Sequence, residues 1–359
     1  MIRRSIIPFG PQHPVLPEPI QLRLELEDER VVSAKPVLGY IHRGLEKIAE
    51  MKDFQQNAYL IERICGICSF IHSTAYCQGI EEIMGLEVPP RAKYLRAFWS
   101  ELHRLHSHLL WLGLLADSFG FENLFMQLWR CREEVLDLME LTAGARIMLG
   151  TCCVGGVRKD VSPEHLARSV ETLDGLKDRF DGLMPVFLDD YTVKTRLVGV
   201  GVISGKQAYE LGAVGAVAKG AGLPLDLRTT GYGAYGEMDF APVTEPEGDC
   251  HARVRVRVRE LYQSLDLIRQ VVGRIPDTPI NLKVKGAPDG ESVIRVEQPR
   301  GEVMYYLRGN GRKKLERLRV RTPTFANIPA LLAMLPGCEL ADVPVIVLSI
   351  EPCISCTER

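Results

Sequence analysis

From Ile20 to Leu26 the chain reads "IQLRLEL", an unbroken alternation of apolar and polar residues. A period of two puts every apolar side chain on one face, so the segment predicts a half-buried strand. "EDER" supplies a turn and "VVSAKPVLGY" a return strand, giving a hairpin near the N-terminus. The period then lengthens. "GLEKIAEMKDFQQNAYLIERI" spaces its apolar residues three and four apart, as a helix face requires. Pro89 and Pro90 open a long helical segment, "RAKYLRAFWSELHRLHSHLLWLGLLADSFG", at the one place where a helix tolerates proline. A further helix is predicted from about Asn123 to Met148. "SPEHLARSVETLDGLKDRF" starts another, with Ser162 as N-cap, Pro163 just inside and Glu164 in the first turn. "HARVRVRVRE" alternates like a strand, but its continuation "LYQSLDLIRQVVGRI" has helical spacing, so a helix is predicted over His251 to Arg274. "EVMYYLRG" and "LERLRVRT" flank a glycine-containing turn and predict a second small hairpin, and "FANIPALLAML" predicts a helix. The sum is a mainly α protein: an elongated helical bundle core with small β hairpins near the N-terminus and in the C-terminal third. No repeat, linker or compositional break divides residues 1–359, which are read as a single domain.

Composition narrows the function classes. The chain is 46% hydrophobic and 25% charged, an ordinary globular balance, and its formal net charge of -2 gives no electrostatic case for nucleic acid. The most apolar runs, "LLWLGLLA" and "VPVIVLSI", are too short to cross a bilayer. The N-terminus lacks the long apolar stretch and small-residue cleavage site of a secretory signal, so association with a membrane is expected to come through other subunits.

Ten cysteines without an export signal favour metal or redox chemistry over a disulfide framework. "LIERICGICSFIH" places Cys65 and Cys68 three positions apart, and "EPCISCTER" repeats the spacing at Cys353 and Cys356. Each pair can present two thiolates to one ion, and metal binding deprotonates them. The residues alone leave four readings open: a structural zinc, a four-cysteine iron–sulfur cluster, a thiol switch at one pair, and a catalytic metal. In a zinc ribbon the pairs lie about 15–20 residues apart. Here 284 residues separate Cys68 from Cys353, so a shared metal would close almost the whole chain and sit in its core. The second pair lies three residues from the C-terminus, where chains fray unless anchored, so the tail is expected to be buried and fixed. Soft thiolates suit zinc, iron or nickel, and spacing does not choose among them. Cys77, Cys131, Cys152, Cys153, Cys250 and Cys338 make no further CxxC and are expected to be mostly small buried hydrophobes.

"RICGIC…H", "PRGE" and the terminal "EPCxxCxxR" resemble the large subunit of [NiFe]-hydrogenases. "GPQHPVLPEP", "GYIHRGLEK" and "SHLLWLG" resemble more narrowly the energy-converting, membrane-associated group and the quinone-site subunit of respiratory complex I, whose members lack the cysteines. The resemblance spans nearly the whole chain. It implies reversible interconversion of H2 with protons and electrons at a NiFe(CN)2(CO) centre. Cys65, Cys68, Cys353 and Cys356 would bind nickel, with Cys68 and Cys356 bridging to iron. Arg300, in "QPRGE", would stand over the diatomic ligands, where a guanidinium can donate to cyanide. Glu18 matches the proton-relay glutamate: a terminal thiolate takes the proton first and the carboxylate carries it away. His72 matches a histidine that hydrogen-bonds a bridging sulfur. Glu46 matches a carboxylate near the buried C-terminus. Arg359 stands where many relatives have a histidine, so an ion pair with Glu46 is expected there in place of a metal. Glu351 replaces a more usual aspartate and keeps the carboxylate. His13 and Asp117 match a histidine–aspartate pair of the quinone pocket and are expected to transmit protonation changes toward membrane subunits.

The same resemblance implies no iron–sulfur cluster in this chain. It implies a hydrogenase small subunit carrying a proximal [4Fe-4S] cluster, a ferredoxin-like iron–sulfur subunit, ferredoxin as redox partner and antiporter-like membrane subunits. The expected location is peripheral, on the cytoplasmic side of a membrane-bound complex. Ferredoxin-linked and CO-linked types fit equally. Many relatives carry a tail that is cut after the position of Arg359. The alternatives are a non-catalytic docking subunit of a complex I-like machine and a structural zinc scaffold.

Overall fold

The computed structural model describes residues 4–14 and 16–359. Strands β1 (Arg4–Phe9), β2 (Gln21–Glu27) and β3 (Arg30–Val37) form an antiparallel sheet in that order. The predicted hairpin is β2–β3, with Leu22, Leu24 and Leu26 buried on one face. The sequence reading missed β1, whose "RSIIPF" does not alternate and contains a proline suited to an edge strand. Five helices follow: α1 (Leu45–Met51), α2 (Asn57–Glu62), α3 (Ser69–Ile83), α4 (Pro90–Ser118) and α5 (Glu122–Ala143). The two-residue strands β4 (Cys152–Cys153) and β5 (Gly156–Val157) lead to α6 (Pro163–Asp189), α7 (Tyr191–Leu197), α8 (Gly205–Glu210), α9 (Gly215–Lys219) and α10 (Cys250–Arg274). A second antiparallel sheet comprises β6 (Asp289–Gln298), β7 (Gly301–Asn310) and β8 (Arg317–Arg321). The chain ends with α11 (Pro323–Met334), α12 (Val343–Ser349) and α13 (Ile354–Glu358). The fold is mainly α with small sheets near the N-terminus and in the C-terminal third.

Local chemistry explains the boundaries. The segment read as one helix before Cys65 is two, α1 and α2. Between them the Asp53 side chain accepts from Gln55 N at 2.8 Å, a local turn that competes with helix continuation. Helix α5 stops at Ala143, short of Met148, because Gly144 takes the left-handed conformation at φ 89°. Ser162 caps α6 by accepting from His165 N. The alternating arginine–valine stretch is helical, and Asp249 caps it by accepting from Ala252 N at 2.7 Å. Its period brings Val254, Val258, Leu261 and Leu265 to one buried face, while Arg253 and Arg257 are buried as well. The second predicted hairpin is β7–β8, and β6 pairs along the full length of β7.

Helices α4, α5, α6 and α10 pack in a ring, each against the next, and α3 lies between α4 and the β6–β7–β8 sheet. Helix α4 is the axis of this core. Leu95, Leu102, Leu105, Leu109 and Leu112 are fully buried, each contributing about 1.5–3 kcal/mol by leaving water. The same helix buries Glu101, His103, Arg104, His106, Ser107 and His108. Groups of that kind belong in a core only when paired or when they serve a site. Among the described residues no helix is long and apolar enough to cross a membrane.

Candidate metal centre

The first cysteine pair lies in the turn between α2 and α3. Ile67 N points at the Cys65 sulfur at 3.2 Å, and Cys68 is the N-cap of α3. Backbone N–H groups and the helix start both favour thiolate over thiol. The second pair lies at the start of α13, where Cys353 is the N-cap and its sulfur accepts from Cys356 N at 3.4 Å. The tail carrying it is clasped on all sides. Thr324 Oγ1 accepts from Cys353 N at 3.1 Å, and Thr322 Oγ1 donates to the Cys356 carbonyl at 3.0 Å. The Glu358 carboxylate accepts from Gly39 N and Ile41 N, each at 2.6 Å. Arg43 reaches both halves, donating to Ile64 O at 2.7 Å and to Ser355 O at 3.2 Å.

These elements bring the four sulfurs together in the core. Cys65 and Cys353 are 3.1 Å apart, Cys68 and Cys356 3.5 Å, and Cys65, Cys68 and Cys356 all lie within 4.8 Å of one another. All four are buried free thiols. Hydrogen bonds from Cys353, Cys356 and Cys68 hold Cys65 well below the ordinary thiol range, while burial pushes Cys68 and Cys356 well above it. The pocket therefore favours one thiolate, and a cation is what would let the other sulfurs ionise.

Arg300 is buried, 3% exposed, and near enough to this cluster for Cys353, Cys65 and Cys68 to act on its charge. Its Nε donates to the Glu351 carbonyl at 3.0 Å, and its Nη2 lies 3.0 Å from Glu351 Oε1. Its Nη1 is buried with no partner. The glycine after it explains how the loop fits. Gly301, at φ 121°, lies so close to Gly215 that a Cβ would come within 2.4 Å of its backbone nitrogen. Glu351 is itself unusual, a non-glycine residue at φ 56°. Its carboxylate is held by Arg300, by Arg257 Nε at 3.0 Å and by the Ser107 hydroxyl at 2.9 Å. Burial raises this carboxyl, but Arg300 and Arg257 outweigh it and keep it below its ordinary value.

His72 Nε2 lies 3.3 Å from the Cys356 sulfur, and Nδ1 lies 2.6 Å from the Tyr305 hydroxyl. Burial lowers this histidine to about 4, so the ring is neutral. A thiolate at Cys356 needs the hydrogen on Nε2, which leaves Nδ1 to accept from Tyr305. Glu18 precedes β2 in the β1–β2 loop and is half-buried. Its carboxylate accepts from Ile354 N, from Ser355 N at 2.9 Å and from the Ser355 hydroxyl, directly beside Cys353. Its other side lines a surface cavity with Gln12, His13 and Pro17.

The remaining candidates lie further out. Glu46 Oε1 pairs with Arg359 Nε at 2.8 Å and its Oε2 with Arg319 at 2.9 Å. His13 stacks on Phe9 at 4.4 Å in the cavity that Glu18 lines. Asp117 is exposed in the last turn of α4, outside the residues lining that cavity. The sequence reading did not single out Ser107, Arg257, Tyr305, Thr324 or Glu358. Strand alternation separates buried Tyr305 from Tyr306, but only the folded sheet puts it against His72.

The helical fold closed by both ends of the chain belongs to a class of protein, the large subunits of [NiFe]-hydrogenases and their complex I relatives, and the four sulfurs lie on the hydrogenase side of that class. The chain belongs to this family. Residues 118–287 and 282–359 match the respiratory-chain NADH dehydrogenase 49 Kd subunit, and residues 43–116 match nickel-dependent hydrogenase. The chain is 39% identical to the carbon monoxide-induced hydrogenase of Rhodospirillum rubrum, covering 98% of this chain and 99% of that protein. It is 38% identical to the membrane-bound hydrogenase subunit alpha of Pyrococcus furiosus, covering 98% of this chain and 87% of that one. Among solved structures it resembles a chain of the membrane-bound sulfane sulfur reductase, an archaeal respiratory membrane complex. The TM-score is 0.94 at 32% identity, over 99% of this chain and 98% of that one.

Proposed function

We propose that this chain is the catalytic large subunit of an energy-converting [NiFe]-hydrogenase, interconverting H2 with protons and electrons. The observation that carries the reading is the convergence of four buried free thiols near an arginine whose Nη1 is buried and unpartnered. Soft sulfur donors fit nickel and iron, and an orphaned guanidinium N–H fits a diatomic ligand on iron. Cys65, Cys68, Cys353 and Cys356 would hold the centre, with Cys68 and Cys356 as the shared ligands. When bound, that centre supplies the two-electron chemistry of H2.

The protein's own groups do the rest. Arg300, oriented by Glu351, donates from Nη1 into the pocket and stabilises negative charge there. His72 donates from Nε2 to Cys356 and limits the electron density on that sulfur. Pro17, Ile67, Leu110, Trp111, Leu348 and Pro352 line a very small, mostly apolar cavity that Arg300 and Glu351 also border, which keeps bulk water away from the arginine. Glu18 sits between the Cys353 turn and an open cavity, and so can move a proton between the site and solvent.

The electrons leave through partners: a small subunit with a proximal [4Fe-4S] cluster, a ferredoxin-like subunit and then ferredoxin. Antiporter-like subunits would anchor the assembly, with this chain peripheral on the cytoplasmic side. Relatives named as parts of membrane-bound complexes support the association with a membrane. Metal analysis with infrared spectroscopy on the purified complex tests the reading. Stoichiometric nickel and iron with bound CO and cyanide stretches are expected. One zinc and no nickel means a structural scaffold, and no stoichiometric metal means a docking subunit.

A further inference from the structure

Helices α4, α9, α10 and strand β6 enclose a second set of buried charges that the proposed reaction leaves unused. Glu101, Asp226, Glu260 and Glu297 supply carboxylates, and Arg104, Lys219 and Arg228 supply cations, none more than 4% exposed. Lys219 is the hub. Its Nζ lies 3.1 Å from Glu297 Oε1 and 3.3 Å from Asp226 Oδ2, and it also contacts Glu260 Oε1. Glu260 Oε2 lies 2.8 Å from His108 Nε2. Arg228 joins Asp226 at 2.7 Å to Glu101 at 3.3 Å, and Arg104 Nε is 3.2 Å from Glu101.

His108 is where this cluster meets the metal side. Its neighbour Ser107 holds Glu351, and its own Nδ1 is buried without a partner. On that side Arg257 and Arg300 share the single carboxylate of Glu351. Arg300 faces the sulfurs, since Cys353, Cys65 and Cys68 all act on it, while Arg257 also feels Glu260 of the deeper cluster. The deeper cluster is left one cation short, and an uncompensated charge in a buried site is relieved by taking up a proton.

Geometry singles out where that proton goes. Glu101 is held by two arginines and by the hydroxyls of Tyr235 and Ser264 at 2.6 and 2.7 Å. Asp226 makes a two-point pair with Arg228. Glu260 has both Lys219 and His108. Glu297 has only Lys219, shared with two other carboxylates, and the Leu227 N–H at 3.1 Å. The groups facing it are Lys219 from α9, Asp226, Leu227 and Arg228 from the following turn, Arg104 from α4, Glu260 from α10, and Tyr232. Burial pushes the Glu297 carboxyl up to about 7 against the pull of Lys219, and Asp226 adds to the rise.

We propose that this cluster is a proton store for the H2 reaction, with Glu297 the group that takes up and releases the proton and His108 the link to the metal side. The proposal rests on the hydrogenase reading. In uptake, a hydronium ion gives up an O–H proton to His108 Nδ1 and leaves as water, while the Nε2–H bond breaks toward Glu260 Oε2. Lys219 first gives an ammonium proton to Glu297 Oε1, and rotation of the Glu260 carboxyl then presents the arriving proton to the neutral amine, which accepts it. His108 ends as the other neutral tautomer, Glu260 as carboxylate and Lys219 as ammonium. The one net new bond is O–H on Glu297, and no electron moves through the chain.

An infrared titration of carboxylic-acid carbonyl stretches in the purified complex tests this. The wild type should show a band that fades as pH rises through neutrality and gains intensity on reduction with H2. Glu297→Gln should lack it while the diatomic-ligand bands stay in place. Lys219→Arg keeps the charge but not the ability to give up a proton, so it should retain the band and slow its H/D exchange by roughly tenfold or more. A neutral-range band persisting in Glu297→Gln, no such band in the wild type, or no response to H2 overturns the store. Unchanged exchange in Lys219→Arg overturns the route. Absence of diatomic bands in the wild type overturns the hydrogenase reading, and the carboxyl titration itself still reads.

Discussion

Cys65 and Cys68 sit between two helices whose surroundings are apolar core, with Ile61, Ile64, Phe70 and Ile71 all at most 1% exposed. Cys353 and Cys356 sit on a five-residue helix at the chain end, held by hydrogen bonds from the β1–β2 loop, the segment after β3, and the start of α11. Burial of the first kind is non-directional and lost only when the core opens. A clasp of the second kind is a sum of hydrogen bonds worth about 0.5–1.5 kcal/mol each, more where a carboxylate accepts. One half of the sulfur site is held chiefly by core burial, and the other shares that core, with Ile350 and Ile354 at most 1% exposed, and adds the polar clasp. The difference is that the tail half can be loosened by removing one clasping side chain, whereas the first half yields only to a change in the core.

Substitutions can separate the two halves. The largest effect is expected for Cys356→Ser, which removes the sulfur proposed as a shared ligand. H2 turnover and metal retention should both vanish, and full activity in that variant would refute the bridging role. Next is Glu18→Gln, which leaves the four sulfurs in place and removes the carboxylate beside Cys353. H/D exchange should fall by about 10²–10⁴-fold with the infrared bands unchanged. Exchange at the parent rate means another group carries the proton.

Stability changes should also divide along this line. Ile64→Ala opens a cavity under the first pair and should cost about 2–5 kcal/mol in global unfolding, without selectively exposing the tail. Glu358→Ala removes the acceptor of Gly39 N and Ile41 N, costing about 1.5–3 kcal/mol, and should mainly speed proteolysis within Ile354–Glu358. Equal proteolysis in the two variants breaks the distinction between the halves. The smallest effect concerns pH. Burial raises the Glu46 carboxyl, but Arg359, Val320 N and Arg319 outweigh it and hold it below 4.5. A depressed acid contributes stability above its ordinary value and loses it as pH falls through the folded value. Tail-amide hydrogen exchange at Thr357–Arg359 should therefore quicken on acidification below 4.5, and Glu46→Gln should remove that step. An unchanged acid profile in Glu46→Gln assigns the step elsewhere.

Much of this was legible in the residues, for reasons that differ by element. The β2–β3 alternation, the proline-led start of α4 and the Ser162 cap are local signals, decided within one turn or one strand. The α10 stretch was legible only because its continuation has a helical period, since "RVRVRVR" by itself fits a strand. The edge strands β1 and β6 were not legible, because pairing with a neighbour makes them strands and their own patterns are weak. The cysteine spacings announced a metal site, but nothing in them indicated Tyr305 behind His72 or Ser107 and Arg257 behind Glu351.

By itself the sequence determined the mainly helical class and the two cysteine pairs whose spacing suits a soft metal, because spacing and residue type act through local geometry. Only the tertiary structure decided that Glu18 touches the Cys353 turn, that Arg300 is locked by Glu351 with one N–H left over, and that Glu297 shares a single lysine with two other acids. Those facts depend on which distant segments meet in a low-dielectric interior, and a linear pattern carries no information about that meeting.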